Sequence, residues 1–174
     1  MTDFQQNIDS LLSDLGITRT IRQELSLPLQ PEAIDLVQCE NDIFDRPQYM
    51  ARITRQQWQA MRSQASADGI ELELVSAFRS VEYQCNLIRA KLDKGQALED
   101  ILKVNAVPGY SEHHTGRALD LNTPNCEPLS EAFEQTPAFD WLCRNAHRFS
   151  FTLTYPRDNP LGIAYEPWHW ACQG

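Results

Sequence analysis

The chain has no long apolar run, few lysines and no closely paired cysteines. Its apolar runs are only a few residues long, far short of the roughly 20 that a membrane-spanning helix needs, so no membrane span is expected. The opening stretch, MTDFQQNIDSLLSDLG, lacks a basic start leading into an apolar segment and does not read as a secretory signal. Of fifteen basic residues twelve are Arg and three are Lys, against 24 acidic residues, for a net charge of −9. An acidic chain without a basic cluster is poorly suited to gripping phosphate backbones, so nucleic acid is not an expected partner. The five cysteines, Cys39, Cys85, Cys126, Cys143 and Cys172, are scattered, odd in number and form no CxxC. That usage argues against a disulfide framework and for reduced thiols in the cytoplasm. No internal repeat, low-complexity tract or linker divides the 174 residues, a length suited to one ordinary domain with at most a short helical extension. Nothing in the sequence bears on oligomeric state.

Apolar residues make up 42% of the chain and include 4 Trp, 7 Phe and 5 Tyr, enough material for a core. Ile8, Leu11, Leu12 and Leu15 recur at helical spacing, and Pro28 and Pro31 close a helical segment over residues 1 to about 27. The stretch from Leu36 to Met50 is irregular. Thr54 with Gln57 reads as a capping box before a helix carrying Trp58, Met61 and Ala65, which Asp68-Gly69 ends. Ile70, Leu72 and Leu74 alternate with Glu71 and Glu73 as a half-buried strand. Ser80 caps a helix with Leu87, Ile88 and Leu92 inward, closed by Gly95, and a shorter helix follows over 97–103. Thr136-Pro137 opens another, with Phe139, Leu142, Cys143 and Ala146 on one side. Phe149, Phe151, Leu153 and Tyr155 alternate as a strand, Arg157 to Pro160 turns the chain, and Ile163 to Trp170 reads as the return strand. The expected class is α+β: a single domain with a small antiparallel sheet flanked by helices.

Three of the four histidines fall in two short segments, Ser111-Glu112-His113-His114-Thr115-Gly116-Arg117-Ala118-Leu119-Asp120 and Glu166-Pro167-Trp168-His169-Trp170. Two imidazoles and a carboxylate form a usual ligand set for a catalytic zinc, with a further carboxylate as general base. On spacing alone the plain reading stays open: satisfied core histidines, Asp120 capping a turn, and Trp168 and Trp170 as core.

These segments resemble the zinc D-alanyl-D-alanine carboxypeptidases, the VanY-like peptidases, whose patterns are S-x-H-x-x-G-x-A-x-D and E-x-W-H. Ser111, His113, Gly116, Ala118 and Asp120 fill the first, and Glu166, Trp168 and His169 the second. Upstream, Ser76-Ala77-Phe78-Arg79-Ser80 with Gln84 resembles the family's S-G-Y-R-S-x-x-x-Q. The resemblance implies a zinc peptidase domain over residues 51–174, and residues 1–50 are expected to form a helical extension packed on it. It implies Zn2+ held by His113, Asp120 and His169, Glu166 as catalytic base, and Arg79 steadying the oxyanion. Ser111, Gln84, His114 and Trp168 become candidate supports of the site or contacts to substrate. The chain departs from the family at Phe78, where Tyr is usual, at Arg117, where an apolar residue is usual, and after Trp170. Cys172, three residues after His169, is easily mistaken for a ligand but is not counted among them.

The family acts on peptidoglycan stem peptides. For a cytoplasmic member the resemblance implies an L,D-carboxypeptidase that removes D-alanine from tetrapeptides in cell-wall recycling. A D,D-carboxypeptidase on pentapeptides, a phage-lysin-like endopeptidase and a peptidoglycan-binding zinc domain without turnover are the alternatives.

Overall fold

The computed structural model describes residues 3–23 and 26–173. Helices α1 (Asp3–Asp14) and α2 (Arg19–Gln23) lead the chain. Of the expected stripe Ile8, Leu12 and Leu15 are buried, with Ile17, against Val81, Cys85, Ile88, Ile101 and Val107, and Leu11 is partly buried beside them. Strands β1 (Leu36–Asn41) and β2 (Pro47–Ala51) then form an antiparallel ribbon. The extension expected to be helical over 1–50 is therefore helical only in its first part. The ribbon escapes the sequence because β1 is only partly covered along its length, so no clean two-residue alternation marks it. Its turn is built by Asp42, whose carboxylate accepts from the backbone N–H of Phe44 (2.8 Å) and Arg46 (3.0 Å), from Arg46 Nε (2.7 Å) and from Gln48 Nε2 (2.7 Å).

Helix α3 (Arg52–Ala67) follows β2 directly and buries Thr54, Trp58, Met61 and Ala65. The capping box does not form. The helix starts two residues before Thr54, at an Ala51 cap with no side-chain bond, and the Thr54 hydroxyl is buried without a partner. The start is set from outside the helix, since Ala51 N–H donates to the Gly116 carbonyl (2.9 Å). Strand β3 (Glu73–Ser76) is shorter than its alternation suggests. Helix α4 (Val81–Leu92) carries the expected Ser80 cap, which accepts from Tyr83 N–H, and α5 (Leu98–Lys103) follows.

Strand β4 (Ala118–Asn122) is buried at every position, which removes the alternation that would have announced it. Helix α6 (Pro137–Asn145) is capped by Thr136 and buries Ala138, Trp141 and Leu142; Cys143, expected inward, is exposed. Strands β5 (Phe151–Leu153) and β6 (His169–Cys172) complete the sheet. The return strand expected from Ile163 begins only at His169. Pro156, Pro160 and Pro167 cannot donate to a ladder, and Asn159 Nδ2 ties the intervening loop by donating to the Pro156 (2.9 Å) and Ile163 (2.8 Å) carbonyls.

The antiparallel sheet has the order β3-β4-β6-β5. Its helix-covered core holds Trp58, Met61, Leu119, Leu121, Phe133, Leu142, Phe151 and Trp170. Because side chains alternate along β4, Leu119 and Leu121 point into that core and Asp120 to the opposite face. There Asp120 lies in register with His169 of β6 and with Ser76 of β3. Among the described residues no helix is long and apolar enough to cross a membrane.

Candidate active site

The register pair Asp120–His169 forms the floor of the site, and a 3-10 turn over Glu112–Thr115 adds His113. The turn ends at Gly116, with φ 65°, where a Cβ would lie 2.7 Å from the Ala51 nitrogen and 2.9 Å from Leu36 Cδ2. Both backbone handedness and space thus demand glycine there. His113, Asp120 and His169 each offer one ligand atom, and these atoms lie within 4.8 Å of one another. His113 Nε2 and His169 Nδ1 each stand 3.3 Å from Asp120 Oδ1.

Each imidazole is turned toward the site by its other nitrogen. His113 Nδ1 donates to the Ala77 carbonyl (2.6 Å), and His169 Nε2 donates to Glu112 Oε2 (2.9 Å). Such outer bonds fix tautomer and ring orientation in metal sites. Two of the converging atoms, His113 Nε2 and Asp120 Oδ1, are buried with no hydrogen-bond partner. Buried polar atoms are rarely left so, and a two-imidazole, one-carboxylate donor set suits a divalent zinc. The residues present therefore fit the metal. Cys172 is buried in the main core and is not part of the cluster.

Burial, with the nearby Arg79 charge, lowers the His113 pKa to about 4, so this imidazole is neutral and able to donate a lone pair. Burial would also keep Asp120 protonated, but His113, His169 and Arg79 outweigh it and hold the carboxyl well below the usual range. For His169 burial is again overcome: the Asp120 and Glu112 carboxylates push its pKa up to about 9. Glu166 Oε2 lies 3.6 Å from His169 Nδ1, and burial raises the Glu166 pKa to about 7 despite the pull of His169. Arg79 NH2 is 3.8 Å from Asp120 Oδ2, and its Nε is buried without a partner.

Arg79, Gln84, Ser111, His113, Glu166 and His169 line one cleft. Gln84 donates from Nε2 to the Ala106 carbonyl (2.9 Å), while its Oε1 is buried and unpartnered. Two of the candidate supports or contacts do not line the cleft. His114 is fully buried, donates from Nδ1 to the Arg79 carbonyl (2.6 Å) and accepts at Nε2 from Gly109 N–H (3.0 Å). With both nitrogens taken by backbone it braces the loops around the site. Trp168 packs against the main core, and its carbonyl accepts from Leu121 N–H (2.9 Å). Two residues of the neighbourhood were missed. Glu112 orients His169, and Tyr155 lines the cleft with its ring centroid 4.6 Å from that of His169. Glu112 sits inside the matching segment at a position its pattern leaves free, and the alternation around Tyr155 signals a strand and nothing more.

A family model described as VanY, D-alanyl-D-alanine carboxypeptidase, matches residues 47–174. The chain belongs to the VanY family. Among its relatives, YodJ of Bacillus subtilis (strain 168) is 28% identical over 172 residues, covering 93% of this chain and 62% of YodJ. The chain thus spans somewhat less than two thirds of that relative's length. The solved structure of the LdcB LD-carboxypeptidase superposes with a TM-score of 0.74 at 30% identity, covering 84% of this chain and 72% of LdcB. VanYB in complex with D-alanine-D-alanine gives 0.66 at 26% identity, over 88% of this chain and 83% of VanYB. The two solved structures share the α+β architecture of this chain.

Proposed function

We propose that the chain is a zinc carboxypeptidase that removes the C-terminal D-alanine from peptidoglycan stem peptides. The observation that carries this reading is the convergence of His113, Asp120 and His169, two of whose inward atoms are orphaned, beside a Glu166 carboxyl near neutrality. When bound, zinc supplies Lewis acidity, polarising a carbonyl and acidifying water. His113, Asp120 and His169 would hold the ion.

The protein's own groups divide the remaining work. Glu166, with a pKa of about 7, is poised to take a proton from the attacking water and pass it to the departing amine. Arg79 offers a permanent charge and an unpartnered Nε to the negative charge that develops on the cleaved carbonyl. Gln84 Oε1 can accept from a substrate N–H, and Ser111 lies in the same cleft. His114 and Glu112 position Arg79 and His169 through the bonds described above.

Within this reading we favour an L,D-carboxypeptidase acting on tetrapeptides, a step of cell-wall recycling in the cytoplasm. The similarity to LdcB supports the bond, and five free thiols support a reducing compartment. Cleavage of a D,D bond is the second reading, favoured by the similarity to VanYB, which was solved with D-alanine-D-alanine. Incubating the zinc-loaded chain with tetrapeptide and pentapeptide stems, followed by mass spectrometry, separates them. Loss of alanine from the tetrapeptide alone supports the first and loss from the pentapeptide alone the second. Cleavage of neither, or equal cleavage by Glu166→Ala, rejects the hydrolase reading.

A further inference from the structure

Arg79 is shared by the cleft and a larger groove. The cavity at the metal-donor cluster measures about 30 Å³, the scale of a methyl group, while the groove measures about 320 Å³. Arg79 lines both, and Arg46, Gln48, Tyr49, Phe78 and Tyr83 are among the groove's other walls. The floor is firmly tied: Phe78 N–H donates to the Tyr49 carbonyl (2.9 Å) and Ala77 N–H to Gln48 Oε1 (3.0 Å). Tyr49 and Tyr83 are nevertheless 43% and 49% exposed, large aromatic surface that the fold leaves in water. In a chain of net charge −9, the charged residues lining this groove are Arg46 and Arg79, and no carboxylate lines it. Arg46 is fixed by donating from Nε to Asp42 (2.7 Å) and from NH2 to the Val75 carbonyl (3.2 Å).

We propose that this groove binds the part of the stem peptide on the acyl side of the scissile bond and selects an acidic residue there. The inference rests on the carboxypeptidase reading of the cleft. Such an enzyme needs a confined space for one terminal residue and an open path for the rest of the chain, and these two cavities supply that asymmetry. The tyrosine faces provide rigid, amphipathic contact for the peptide, and Arg46, the groove cation not already given to the reacting carbonyl, complements a carboxylate such as that of the stem's γ-linked D-glutamate. A cavity of about 550 Å³ beside residues 30–35 is a poorer path, because Glu32, Asp35 and Glu112 outnumber its one cation, Arg117, and it shares no lining residue with the cleft.

The test uses the zinc-loaded full chain and three N-acetylated substrates: L-Lys-D-Ala, L-Ala-γ-D-Glu-L-Lys-D-Ala, and the same tetrapeptide with isoglutamine replacing glutamate. If the D,D bond is the one cut, the series is built on a further D-alanine. The acidic tetrapeptide is expected to exceed the dipeptide in kcat/KM by about tenfold or more, in keeping with the weight of aromatic and Arg anchors. Amidation should remove most of that advantage, and Tyr83→Ala or Tyr49→Ala should reduce it to less than about threefold. Equal kcat/KM for all three substrates, or an advantage untouched by both variants, overturns the groove. Calorimetric binding of the same peptides to a Glu166→Gln chain separates the two readings. Tetrapeptide binding that weakens in Tyr83→Ala, with no substrate cut by the parent chain, upholds the groove and rejects the hydrolase. Cleavage of the dipeptide with no preference for the tetrapeptide does the reverse, and neither cleavage nor binding rejects both.

Discussion

Glu166 and His169 stand three residues apart, and both hold a proton longer than free side chains do. The causes differ: Glu166 is buried, whereas His169 is flanked by the carboxylates of Asp120 and Glu112. His169 must shed its proton before Nδ1 can bind a cation. Below about pH 9 the apparent zinc affinity should therefore fall as pH falls, by about tenfold per unit for this one proton. Calorimetry in buffers of different ionisation enthalpy should show one proton released per zinc, and an affinity flat between about pH 6 and 8 would contradict the assignment. The linkage to folding has the opposite sense in the metal-free chain. His169 stabilises the fold below its unfolded pKa of 6.5, and that contribution disappears as pH rises through about 9. Glu166→Gln should keep zinc, measured by metal analysis, yet lose about 10²–10⁴-fold in kcat. At this scale the sequence was informative for residues inside dense motifs. His114 was left between a support of the site and a substrate contact, because spacing does not show that both its nitrogens meet backbone.

Elements carry the site through their junctions more than their interiors. The β2–α3 boundary at Ala51, the 3-10 turn and β4 meet at Gly116, so Gly116→Ala should cost about 2 kcal/mol or more and disturb His113. Chemical denaturation would register the loss, and a variant as stable as the parent would contradict the close approach described. The Asp42 turn makes a second test. Burial opposes ionisation of Asp42, but the Arg46 and Phe44 backbone donors and the Arg46 side chain hold its pKa below 3.8. Its contribution is thus present above the unfolded pKa and is lost as pH falls through that value and below. Asp42→Ala should cost about 1–3 kcal/mol at neutral pH and flatten the acid limb of the stability curve. Helices capped by Ser80 and Thr136 were legible because their signals are local. The β1–β2 ribbon and β4 were not, the first being too exposed and the second too buried to alternate.

The whole molecule is knit by its first thirty-five residues as much as by the sheet. Gly109 approaches Ile8 so closely that a Cβ would lie 2.5 Å from its Cδ1. Gln30 N–H donates to the Gly109 carbonyl (2.7 Å) and Ala33 N–H to the His114 carbonyl (2.8 Å), while Glu32 accepts from Val81 N–H. Removing residues 1–35 would strip these bonds and uncover Val81, Ile88, Ile101 and Val107. A fall in Tm of about 10 °C or more is expected from several kcal/mol of lost burial, and an unchanged Tm would mark the segment as an appendage. The apolar spacing of Ile8, Leu11, Leu12 and Leu15 announced a helix but not its docking place, since a stripe specifies that something covers it and not what.

His113 and Asp120 are seven residues apart, but the third donor lies 49 positions further on, in a strand that closes the sheet. During synthesis, a nascent chain that has emerged only as far as residue 160 possesses two of the three donors and lacks Glu166 altogether. On the carboxypeptidase reading, ion capture and peptide cleavage therefore arrive together, only after β6 pairs with β4, and an unfinished chain lacks both.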